Sequence, residues 1–365
     1  IIDISMKWLS ETNLQKTIFV HKQYVLMDYW NAKAKDILYN EWDCRSVLDV
    51  TTNIIDGHNI LFDKITKNFT KDTSVISIKE RATKERELIL SGEKIWLPTG
   101  IPPIDNKWKG WWDTELSIIA ARPSMGKTAL MLASAIHASF NEQKVGAFFS
   151  LEMDKKRLLD HVIAAKSGIP YEKIKNYSTT SEEFEIVMQW YDYFENDSLL
   201  KIYDFHEIRT LQDIVDRVPN MQYAFVDYIQ LVKINDKINK QASNREQDVS
   251  EIARTLKLTA GINQIPIIAG AQLNRNVDNR PGHRPVLSDL RESGAIEQDA
   301  DNVLFPFRPA YYEEALNPDI RIPFWQKGNF DLRIAKGRDV GTDNVKFNLD
   351  LLTYKFTDGH LLTAP

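Results

Sequence analysis

The sequence predicts an α/β protein: a mostly parallel central sheet covered on both faces by helices, preceded by a small helical region and a linker helix. Three observations carry this. From about residue 96 short apolar runs alternate with helical stretches, and one of the junctions between them is the segment ARPSMGKT. A charged run ending in glycine separates this alternation from an N-terminal stretch of helical periodicity.

Residues 1–75 mix apolar and polar side chains at helical spacing through 18–27, 30–42 and 54–65, and show no catalytic constellation. A helical docking region is expected there. Residues 76–95 form the linker: SIKERATKERELIL interleaves both charge signs and stops at Ser91-Gly92, as a solvated helix with a glycine cap does. Residues 96–365 form the α/β domain. Strands are expected at 116–121, 145–150, 201–204, 224–227 and 265–270, and helices at 127–140, 155–166, 182–194, 210–218 and 243–263. The last helix opens with a capping-box pairing of Ser243 and Glu246 and sets Val249, Ile252, Ala253, Leu256 and Ala260 on one face. Beyond Asn302, strands at 331–335, 345–349 and 352–356 suggest an antiparallel extension.

A net charge of −5 argues against a protein that coats nucleic acid with its whole surface, yet is compatible with one that grips a strand locally. No apolar run approaches the roughly 20 residues that span a bilayer, and IIDISMKWLS does not read as a signal peptide. The lone Cys44 cannot form an internal disulfide, which fits a cytoplasmic protein without a membrane partner.

ARPSMGKT follows the apolar LSIIA and opens the apolar helix ALMLASAIHASF, the context a phosphate-binding loop requires. Backbone N–H groups of Ser124, Met125, Gly126, Lys127, Thr128 and Ala129 can wrap a phosphate at a helix N-terminus. Lys127 should reach the β- and γ-phosphates, and Thr128 should ligate Mg²⁺. The position where the general pattern has glycine is Ala121. In YAFVDY, Asp227 ends an apolar run and is the candidate second metal-site residue; elsewhere such an Asp is simply a turn-former. Glu152 in FFSLEM lies just past a strand and Gln272 in AGAQLNR follows another, at the sheet edge where such folds bind ligands. Glu152 is the candidate base for the attacking water and Gln272 the candidate γ-phosphate contact; either residue alone would read as a surface polar group.

Taken together, TGIPPID (99–105), AARPSMGKTA, FFSLEM, VDYIQL, NREQDVSEIARTLK, AQLNR, SDLRESGAIEQDAD and IAKGRDVGT resemble the DnaB family of hexameric replicative helicases, in the family's order. The family's loop also carries Ala at the position of Ala121. The resemblance implies a RecA-like motor domain, a homohexameric ring, and ATP with Mg²⁺ bound between subunits. It assigns Lys127 and Thr128 to phosphate and metal, Glu152 to catalysis, Asp227 to the metal and Gln272 to the γ-phosphate. Lys336 and Arg338 match the basic pair that enters the neighbour's site. Arg291, Glu292 and Gly294 match the pore segment that holds single-stranded DNA, with translocation 5′-to-3′, and primase and a helicase loader are implied partners. Where the family carries an arginine after the catalytic Glu, this sequence has His161. In the Trp-rich NKWKGWWDTE, Trp111 and Trp112 are read as packing residues, since they precede the first strand. Other readings are a RecA-like recombinase or regulatory ring ATPase, which would share Lys127 and Asp227 but not the RESG segment, and an inactive ring scaffold.

Overall fold

The computed structural model describes residues 75–92, 94–234, 245–317, 319, 322, 327–338, 341–350, 353 and 355–358. The helical reading of 1–74 and the cap residue Ser243 lie outside them. The chain divides into two compact units, Ile1–Glu87 and Leu88–Pro365. Helix α1 (Val75–Leu90) has the solvated surface its charges demand, and Gly92 follows it at φ +86°. Among the described residues, no helix is long and apolar enough to cross a membrane.

In chain order the second unit contains α2 (Pro102–Trp108), β1 (Leu116–Ala121), α3 (Lys127–Phe140), β2 (Gly146–Ser150), α4 (Lys155–Ser167), α5 (Tyr171–Lys175) and α6 (Ser181–Asn196). There follow β3 (Leu200–Asp204), α7 (Leu211–Arg217), β4 (Tyr223–Asp227), α8 (Arg245–Asn263), β5 (Ile267–Gln272), α9 (Gly294–Asp299), β6 (Asn302–Phe307) and α10 (Pro309–Leu316). Strands β7 (Asn329–Gly337), β8 (Asp343–Leu349) and β9 (Phe356–Asp358) close the unit. All nine strands join one sheet in the order β3-β2-β4-β5-β1-β6-β7-β8-β9. Strands β3 to β6 run parallel, and β7, β8 and β9 continue antiparallel.

The parallel strands read as unbroken apolar runs because both their faces are covered. Ile118, Ala120, Phe149, Ala224 and Val226 enter one core with α7 and α8; Ile119, Phe148 and Phe225 enter the other with α2, α3 and α4. The expected face of α8 is the buried one, with Val249, Ile252, Ala253, Leu256 and Ala260 all inside. Trp108 and Trp111 are packing residues: both are fully buried, their rings meet edge to face at 4.7 Å, and Trp111 Nε1 donates to Ser134 Oγ at 2.7 Å. Sequence periodicity missed α2, α5, α9 and α10, which are short. The expected strand at 352–356 lies instead at Phe356–Asp358.

This topology places β1 at the centre of the sheet, between β5 and β6. The carboxyl ends of β1, β2, β4 and β5 therefore share one edge. The loops that leave that edge carry most of the candidate residues.

Candidate functional site

The loop from Ala121 to Thr128 is shaped by its one glycine. Gly126 stands at φ +82°, and a Cβ there would lie 2.4 Å from the Phe330 ring, so no other residue fits without displacing the antiparallel extension. Gly126 is also the N-cap of α3, and no side chain caps the helix. Its first N–H groups are thus left to an incoming acceptor. Ser124 takes φ +65°, Met125 is buried in a small cluster with Ala121 and Phe307, and Ala129 is partly buried.

Asp227 collects the loop's chemistry. Thr128 Oγ1 donates to Asp227 Oδ2 at 2.5 Å, and Lys127 Nζ lies 2.6 Å from Asp227 Oδ1. Asp227 is fully buried, and its Oδ1 makes no hydrogen bond beyond this ion pair. Burying a carboxylate without such a partner is costly. Glu152, half exposed, reaches 3.8 Å from Lys127 Nζ, and the Tyr228 ring lies 4.0 Å beneath the same ammonium. Gly270 makes this packing possible: a Cβ there would stand 2.9 Å from Asp227 Oδ1 and 3.1 Å from Lys127 Cδ. Gln272 ends β5 with its side chain exposed, in register with Ala121 of β1. The structure thus brings Lys127, Thr128, Glu152 and Asp227 into one cluster, with Gln272 at the same edge.

The basic pair lies elsewhere. Lys336 Nζ donates to the carbonyls of Glu297 and Ala300, at 2.6 and 2.7 Å, where α9 ends. Arg338, largely exposed in the turn after β7, pairs with Asp301 at 2.8 Å. Asp301 also holds Lys257 and the Leu116 N–H. Arg291 and Glu292 fall in a 3₁₀ turn (Leu287–Ser293), and Gly294 opens α9. Their side-chain surroundings lie outside the described residues.

His161 cannot replace an arginine as a cation. Burial pushes its pKa down to about 4; nearby Asp160 opposes this, while Arg157 and Lys175 add to it. The ring stacks on Tyr171 at 4.0 Å and borders a mainly apolar cavity of about 200 Å³ that Thr128 and Met153 also line.

Sequence reasoning missed two residues at this edge. Arg122 donates to both oxygens of Asp278 and to the Leu273 carbonyl, tying the phosphate loop to the segment after β5. Gln230 bonds the backbone of Gln272. Both lay inside the quoted motifs, but only the folded register shows what they touch.

Comparisons with known proteins agree with this geometry. The family model described as DnaB-like helicase C terminal domain matches residues 96–358. The chain is 34% identical over 323 residues to a replicative DNA helicase DnaB of Rickettsia bellii, covering 80% of this chain and 63% of that protein. It is 39% identical over 282 residues to one of Mycoplasma genitalium, covering 74% and 57%. It therefore spans less than two thirds of the length of either relative. A solved ATPase domain superposes with a TM-score of 0.65 at 30% identity, covering 79% of this chain and 99% of that one. A DnaB-like replicative helicase, solved in a study of its interactions with primase, gives a TM-score of 0.65 at 28% identity and covers 85% and 74%. The chain has a RecA-like fold and belongs to the DnaB-like helicase C-terminal domain family.

Proposed function

We propose that this chain is the motor of a replicative DNA helicase: a ring of identical subunits that hydrolyses ATP, moves along single-stranded DNA and parts the duplex ahead of it. The observation that carries the reading is Asp227 holding Lys127 and Thr128 together at the mouth of the phosphate loop, with Glu152 alongside.

In this reading the loop N–H groups from Ser124 to Ala129 cradle the phosphates, and the Lys127 ammonium turns from Asp227 to the β- and γ-phosphates. Glu152, exposed and close to Lys127, orients and deprotonates the attacking water. Gln272 contacts the γ-phosphate from the end of β5. Thr128 Oγ1 and Asp227 Oδ2 would hold Mg²⁺. They are hard oxygen donors, and this ion takes few protein ligands beside substrate phosphates. When bound, Mg²⁺ neutralises charge developing on the phosphates.

Lys336 and Arg338 act on a neighbouring subunit's nucleotide, which makes hydrolysis depend on ring assembly. The segment of Arg291, Glu292 and Gly294 faces the strand: Arg291 pairs with phosphate, Gly294 leaves its N–H accessible, and Glu292 orients Arg291. Contacts of this kind follow the backbone without reading bases. Primase and a loader are proposed partners of residues 1–75, which would dock them.

The test is strand displacement on a forked duplex. The wild-type protein should unwind it only with ATP, and Lys127→Ala should lose ATP hydrolysis by roughly 10²–10³-fold, the scale of losing one transition-state donor. Hydrolysis without displacement by an assembled wild-type ring would contradict the reading.

A further inference from the structure

Strands β4 and β5 part at the edge where the nucleotide is placed. Their ladder pairs Ala224 with Ile267, Phe225 with Ile268 and Val226 with Ala269. Beyond it β5 continues to Gln272, while the chain after Asp227 turns into a 3₁₀ turn, Ile229–Leu231. On its other side β5 stays paired with β1 as far as Gln272, and Leu273 N–H donates to the Ala121 carbonyl at 3.1 Å. The backbone edge of Gln272 that faces β4 therefore has no strand opposite it. Such groups need partners.

The Gln230 side chain fills that place. Its Nε2 donates to the Gln272 carbonyl at 3.2 Å, and its Oε1 accepts from the Gln272 N–H at 3.1 Å. A carboxamide presents one donor and one acceptor side by side, so it can stand in for a strand's peptide edge; a carboxylate or an ammonium cannot. Gln230 sits three positions after Asp227, and its own carbonyl accepts from Arg245 at the start of α8. The clamp lies in a cleft of about 380 Å³ that Arg122, Arg245 and Arg275 also line.

We propose that Gln230 is a positioning residue that locks Gln272 to the Asp227 strand and couples nucleotide state to the DNA-facing segment. The chain that leaves this clamp at Leu273 leads to that segment, at 291–294. Gln230 touches no reacting atom. It sets where the Gln272 backbone stands, and through it where the RESG segment begins its path. This inference rests on the helicase reading above.

The experiment compares the wild-type chain with Gln230→Ala and Gln230→Glu. It measures ATP hydrolysis with and without oligo(dT), affinity for a fluorescent ATP analogue, and melting temperature. Gln230→Glu keeps the shape and the acceptor for the Gln272 N–H but loses the donor, so it answers even if Gln230→Ala fails to assemble. The expected result is that the ratio of DNA-stimulated to unstimulated hydrolysis falls about tenfold in both variants, the scale of an allosteric coupling, with analogue affinity unchanged. A ratio equal to wild type overturns the proposal, including when the melting temperature alone drops, because a merely structural pin would do only that. A wild-type protein that DNA does not stimulate would instead overturn the helicase reading beneath it.

Discussion

Lys127 meets the Asp227 carboxylate, the Glu152 carboxylate and the Tyr228 ring at once, and Gly270 leaves room for that crowding. The two carboxylates hold the ammonium at the strand end before any phosphate arrives. His161 is the contrasting residue. Its pKa in the fold, about 4, lies below the unfolded value of about 6.5, so the unfolded chain binds the extra proton between them. The stability this group contributes is complete above pH 6.5 and is lost as pH falls toward 4. His161→Phe keeps an aromatic ring on Tyr171 and removes the titration. Thermal melts from pH 7 to 4.5 should therefore fall less steeply in the variant, by up to roughly 1.4 kcal/mol per pH unit. Identical profiles would contradict the assignment. Lys127, Thr128, Glu152, Asp227 and Gln272 were all legible as candidates, because each ends or follows a strand, or opens a helix, in a recognisable motif. Arg122 and Gln230 were not, since their meaning lies in backbone partners that are distant in sequence.

At the scale of elements, the segment between β5 and α9 has Asp289 at its centre. Buried Asp289 takes both arms of Arg280 at 2.7 and 2.8 Å and the Val286 N–H at 2.8 Å, while its own carbonyl accepts the Asn274 N–H. Asp289→Ala leaves a guanidinium and an N–H without their partner. It should destabilise this segment by about 1–2 kcal/mol, read as faster protease cleavage between Asn274 and Leu290, with the parallel sheet intact. Unchanged cleavage would show that the segment is held some other way. The parallel strands were legible because burial on both faces leaves unbroken apolar runs. Helix α9 was not: at Gly294–Asp299 it is too short for periodicity, and it ends on the Lys336 ammonium rather than on a local signal. That contact ties β7, which carries Lys336, to the helix that begins at Gly294.

At the scale of the molecule, two groups of candidate residues are carried on different parts of one sheet. The phosphate loop, Glu152, Asp227 and Gln272 share the edge formed by β1, β2, β4 and β5, and Arg338 sits after β7, beyond β6 in the strand order. Arg338 is engaged by Asp301 of its own chain. In a ring the same exposed guanidinium is proposed to meet the nucleotide of the next subunit. The resemblance suggested this division of labour; neither periodicity nor composition could, since two basic residues after a strand also suit a plain surface loop. The measurement that tests it most directly mixes Lys127→Ala subunits with Arg338→Ala subunits, each inactive alone, and follows ATP hydrolysis in the presence of single-stranded DNA. If Arg338 serves its neighbour, mixed rings regain activity, because an Arg338→Ala subunit keeps its Lys127 site and takes the arginine from a Lys127→Ala subunit beside it. No activity at any mixing ratio would mean that each subunit completes its own site.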